Sequence, residues 1–191
     1  MTEQLQLLVS GPLQRIQTAL SERLRQYFPI TKFQHGNVPA RITPQIWEDL
    51  LRRTPFIGLS WIGWSAKSAA RRYRGTVKFG IYVVAQNPRP DNLMVGDASL
   101  PGLFGMSQMA AAVVHGFLTP EGSAMVTDIG NLYAENWGRM DQAMAGIMVE
   151  VDGVELTDPP SFEALDEFLR LQNTWDFGGA ISADTDQIRK D

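Results

Sequence analysis

The chain contains no cysteine. That removes disulfides, thiolate metal sites and cysteine nucleophiles together, and it fits a reducing compartment. Histidine is nearly as scarce. His35 and His115 are the only two, and neither stands at metal-ligand spacing from another donor. Long apolar runs are missing as well. The longest, "PFIGLSWIGW", covers ten residues, whereas a membrane-spanning helix needs about 20. The opening "MTEQLQLLVSGPLQRI" lacks the basic and apolar regions of a signal peptide. No P-loop and no G-x-G-x-x-G occur, and "GLSWI" and "GMSQM" each lack the second glycine of a nucleophile elbow. "VEVDGVELTD", 149–158, is acidic but lacks the spacing of an EF-hand loop. The expectation is a protein that is not an enzyme and needs no cofactor. A hydrolytic carboxylate pair assembled by the fold stays open, because such pairs leave no linear signature.

What is present is an ordinary folded composition. The 191 residues are 44% hydrophobic and 20% charged, enough for one domain with its own core. Charge is distributed unevenly. Residues 50–90 carry eight basic side chains and no acidic one, while residues 91–191 carry seventeen acidic against four basic. The net of −4 therefore hides two regions of opposite sign. They can join identical copies head to tail or neutralise each other inside one copy.

Hydrophobic spacing predicts the elements. Residues 10–28 read as a helix capped by Ser10, with Leu13, Ile16, Leu20, Leu24 and Tyr27 on one stripe. A short edge strand fits within 31–42. "TPQIWEDLLRR", 43–53, reads as a helix with Thr43 as cap, Pro44 at its first position and Ile46, Trp47, Leu50 and Leu51 inward. "FIGLSWIGW", 56–64, and "GTVKFGIYVVAQ", 75–86, read as strands of one hairpin with a basic loop. In the second strand Val77, Phe79, Ile81 and Val83 share one face, and Lys78, Gly80, Tyr82 and Val84 the other. Residues 87–105 read as a long loop. "MSQMAAAVVHGF", 106–117, reads as a helix with Met106, Met109, Val113 and Phe117 on one face. Residues 124–137 and 143–156 read as a second strand pair, and 161–172 as an amphipathic helix capped by Ser161. The predicted class is α+β: a single mixed or antiparallel sheet flanked by helices, spanning 1–175, with a flexible tail at 176–191.

The basic loop has three readings. Arg71, Arg72 and Arg74 could contact phosphates with Tyr73 stacking on a base. They could form a solvated hairpin tip. Or, with Lys67 and Lys78, they could grip carboxylates on a partner protein. The acidic composition disfavours the first.

Together, "GTVKFGIYVVAQNPRP", "GLFGMSQMAAAVVHGF", "NLYAENWG" and "AGIMVEV" resemble, in phrase and order, the tail terminator proteins of Mu-like phages. The likeness covers roughly residues 10–152. It implies a compact subunit that assembles as a sixfold ring on the end of the tail tube, stops polymerisation and forms the joint to the head. The implied partners are further copies of the chain and the tail tube protein, with sheath and head–neck connector proteins as further candidates. No membrane is implied, and nucleic acid enters at most indirectly. The implied location is the head-proximal end of the virion tail, with the host cytoplasm before assembly. The family supplies no catalytic residues. The protein-interface candidates are Lys67, Arg71, Arg72, Arg74 and Lys78. The alternatives are a nucleic-acid-associated neck or packaging factor and a small hydrolase.

Overall fold

The apolar stripe of the first helix decides where the core sits. Helix α1, Pro12–Tyr27, buries Ile16, Leu20 and Leu24 against a β-sheet. The computed structural model describes residues 11–39, 43–67, 73–132 and 141–156. The chain divides into two compact units, Met1–Thr157 and Asp158–Asp191, and every described residue lies in the first. The expected strand end at 133–137, the helix at 161–172, the domain limit at 175 and the tail at 176–191 fall outside the described residues.

After α1 come β1 (Gln34–Asn37), α2 (Pro44–Leu51), β2 (Phe56–Ala66) and β3 (Tyr73–Gln86). A short 3-10 turn (Pro90–Asn92) leads to α3 (Leu103–Val114), β4 (Phe117–Thr119), β5 (Gly122–Asn131) and β6 (Gln142–Leu156). The six strands form one sheet in the order β1-β2-β3-β6-β5-β4. Only β1 and β2 are parallel; the other four pairs are antiparallel. The sheet is mixed and the class is α+β, as the sequence predicts.

Helices α1 and α3 cover one face. Val77, Phe79, Ile81 and Val83 point into that layer and are fully buried, together with Ile147, Val149 and Val151 of β6. Burying each such side chain contributes about 1.5–3 kcal/mol. The opposite face carries a smaller cluster at one end only. There Val38, Leu50, Leu51, Phe56, Val84 and Met144 pack together, with α2 as the lid. Thr43 caps α2 by accepting from the Ile46 amide, as its position before Pro44 predicts. Trp47 lies outside the described side chains.

Several expectations need correction. The cap of α1 is Gly11, not Ser10, and no side chain bonds to it. Tyr27 ends the apolar stripe but is 45% exposed, with the Arg23 guanidinium 4.7 Å from its ring. Helix α3 starts at Leu103 and stops at Val114, three residues earlier at each end than periodicity placed it. Gly116, at φ +77°, turns the chain, and Phe117 opens β4 in place of closing the helix. Met109 is 46% exposed because its side of α3 faces away from the sheet. The 87–105 segment is less of a loop than expected. It contains the 3-10 turn and a bridge between Gly96 and Pro101. Asp97 ties it down, accepting from the Asn87 side chain and from Ser99 and Leu100.

Candidate interaction face

β3 alternates with period two, and the hairpin register carries that alternation into β2 and β6. The sheet face away from α1 and α3 can therefore be mapped row by row. Beyond the α2 cluster, Gly58, Tyr82, Gly146 and Gly130 stand side by side on β2, β3, β6 and β5. The next row is Ser60, Gly80, Met148 and Asp128. The centre of this face, bare of any helix among the described residues, is rich in glycine and thinly covered by neighbouring side chains: Val38 and Phe56 lie over Gly58, and Leu132 over Gly146. Ile62 and Tyr82 lean over Gly80 from two sides, within 3.5 Å of where its Cβ would lie. Burial raises the Tyr82 hydroxyl pKa.

A β-bulge between Trp61 and Gly63 sets this arrangement. Ile62 is the extra residue, and its side chain emerges on the bare face. The bulge also puts Trp61 and Trp64, three positions apart, on the same helix-covered side, where uninterrupted alternation would separate them.

The basic residues enter at the hairpin end of the bare face. Lys78 lies 3.0 Å from Glu150. Lys67 donates to Asp152 at 2.6 Å, and Thr76 donates to the other oxygen of the same carboxylate. Arg74 donates through Nε to the Gly153 carbonyl. The hydrogen bond from Lys67, then that from Thr76, holds the Asp152 carboxyl below its ordinary pKa. Of the five interface candidates, Lys67, Arg74 and Lys78 share this face. Arg71 and Arg72 lie outside the described residues. The intramolecular partners of these cations are not among the residues the sequence singles out. The signal lay in "VEVDGVEL", whose acidic residues alternate in phase with the cations of β3.

On the helix-covered side, a groove of about 580 Å3 runs between α1 and the edge of β2 beyond β1. Trp61 and Phe79 form its apolar wall, and Gln17, Ser21, Glu22 and Arg25 its polar one. Gln17 bonds Asn37 at 3.0 Å across its end.

Both histidines have structural partners. His35 donates through Nε2 to the Phe28 carbonyl at 2.6 Å, and burial lowers its pKa. His115 accepts at Nδ1 from the Val126 amide. Among the described residues no group of three metal-ligating side chains converges. Among the described residues the carboxylates with shifted pKa values are Asp97 and Asp152, and both are lowered by hydrogen bonds. A general acid requires the opposite shift.

No protein-family model matches the chain, and no curated protein matches it.

Proposed function

We propose that this chain is a phage structural protein of the tail terminator type, which caps the tail tube as a ring and joins it to the head. The observation that carries this reading is a pair of unlike exposed surfaces on opposite sides of one sheet. One is the bare face, bounded by Ile62, Tyr82 and the Lys78–Glu150 and Lys67–Asp152 pairs. The other is the outer side of α3. That helix has no charged residue, and it presents Phe104 at 60% exposure and Met109 at 46%. Uncharged apolar surface of this kind is a protein-contact feature. Two unlike patches serve a heterologous contact, in which one face of each copy meets a different face of the next. Such contacts close into rings when the rotation between copies divides the circle.

The described cations weigh against a nucleic-acid role. Lys67 and Lys78 each already face a carboxylate on β6, and Arg74 a carbonyl, so two of the three charges are partly offset before any phosphate is met. The deciding experiment is electron microscopy of particles assembled without this protein. Overlong tubes, or tails that fail to join heads, are the expected result. Particles with normal tails joined to heads would remove the assignment.

A further inference from the structure

The two edges of the sheet are stepped, and the steps match. β1 covers only half of β2. It pairs with Phe56–Leu59, and the Val38 amide adds a last bond to the Leu59 carbonyl. Among the described residues, no strand pairs with the outer side of β2 from Ser60 to Ala66. At the other edge β4 covers only Gly122–Ala124 of β5. His115 extends that cover by accepting from the Val126 amide. From Asp128 to Asn131 the outer side of β5 has no strand partner among the described residues.

Rows counted along β6 show how the steps relate. β1 occupies the rows from Met144 to Ile147. The uncovered Asp128–Asn131 occupies the rows from Met148 to Ala145. β4 begins at the row of Val151, which is also the row of Trp64 on uncovered β2. β1 and β4 run in the same direction, since both are parallel to β6 by way of their neighbours. Brought edge to edge in register, two copies would place β1 of one and β4 of the other end to end in a single column. Each short strand fills the gap the other leaves.

We infer that a second copy of this chain docks here by continuing the sheet. β1 of one copy pairs antiparallel with Asp128–Asn131 of the next, and β4 of that copy pairs parallel with Trp64–Ala66 of the first. This rests on the assembly reading proposed above and assigns a contact of a different kind, between sheet edges, beside the face contacts proposed there. Three observations support it. Soluble sheets protect open edges with lysine, proline or inward charge. Here the uncovered halves, "SWIGWSA" and "DIGN", contain one charge between them. That charge, Asp128, lies on the bare face, and Arg53 stands over Gly36 of β1 on the same side, 3.8 Å from where a Cβ would be. The docked edges therefore bring opposite charges together. Finally, Ile129, 49% exposed, lies in the row of Asn37 on the helix-covered side. Docking sets it at the mouth of the α1–β2 groove, where Trp61 offers apolar surface.

The absence of native cysteine allows a direct test by disulfide cross-linking of the full chain. Residues paired across antiparallel strands have Cα atoms about 4.5–5.5 Å apart, which suits a disulfide. The double variant Asn37→Cys with Ile129→Cys should give, on oxidation, a ladder of covalent oligomers ending at the closed ring. His35→Cys with Ile129→Cys covers a register shifted by two. Gln34→Cys with Ile129→Cys is the control; its two thiols lie on opposite faces, and it should stop at dimers, as should Ile129→Cys alone. As a second arm, Asp128→Arg and Arg53→Asp should each weaken association at least tenfold in sedimentation, and the double swap should restore it. Ladder formation with rescue supports the inference. No ladder from either pair overturns it, whether the protein sediments as a monomer or as an oligomer; in the latter case assembly by another surface survives. A ladder together with normal tails in particles lacking the protein would leave the sheet contact standing and remove tail capping.

Discussion

Lys67 and Asp152 lie 85 positions apart and meet at 2.6 Å. One comes from the basic middle of the chain and the other from its acidic second half, so part of the charge asymmetry is spent inside a single copy. Both side chains are more than half exposed, at 59% and 58%. Solvent screening keeps such a pair weak. A double-mutant cycle with Lys67→Ala and Asp152→Asn should give a coupling of about 0.2–1 kcal/mol in urea denaturation, falling as salt is raised. Coupling well above that range would mean the pair is shielded by something beyond the described residues.

Acid should destabilise the protein in two stages. His35 has a folded pKa below the ordinary histidine value of 6.5 because burial disfavours the imidazolium. The unfolded chain therefore takes up the proton first, and stability present above about pH 6.5 is lost as pH falls through the folded value. Asp97 and Asp152 have folded pKa values below the ordinary 3.8. Their contribution is present above that value and is lost as pH falls further. Thermal melts between pH 8 and pH 2 should show both losses, and His35→Gln should remove the upper one alone.

Core and surface substitutions should separate stability from assembly. Phe79→Ala, at a fully buried site, should cost about 3–5 kcal/mol. Met109→Ala on the outer side of α3 should change folding stability by about 0.5 kcal/mol or less while weakening self-association in sedimentation. Intact association in the Met109 variant would remove α3 from the contact surfaces.

Gly153 sits at φ +74° beneath the Arg74 guanidinium. Gly153→Ala forces a Cβ into a left-handed backbone and should cost about 1–2 kcal/mol. A lowered urea midpoint with unchanged slope is the expected measurement.

Reversing Arg71, Arg72 and Arg74 to Glu together should abolish assembly or tail joining and leave the monomer folded by circular dichroism. Unchanged assembly would dismiss these arginines as contact residues.

The sequence by itself determined the element types, because periodicity is a local property. The spacing Ile16, Leu20, Leu24 predicts a helix, and Val77, Phe79, Ile81, Val83 a strand; both stripes are buried as predicted. It also determined that Lys78, Gly80, Tyr82 and Val84 share a face of β3, whereas Arg74, read as part of the basic loop, belongs to the strand. Tertiary structure alone decided what the cations meet, because pairing of β3 with β6 brings Glu150 beside Lys78 and the Gly153 carbonyl beside Arg74, and sets Asp152 within reach of Lys67. It decided that Tyr27 and Met109 look outward, since a stripe does not reveal how far the opposing surface extends. It decided as well that Trp61 and Trp64 share a side, through one extra residue in a bulge. Turns and periodicities depend on near neighbours and are written in order along the chain. Partners, edges and bare faces depend on which distant strands lie side by side, and only packing the sheet settles that.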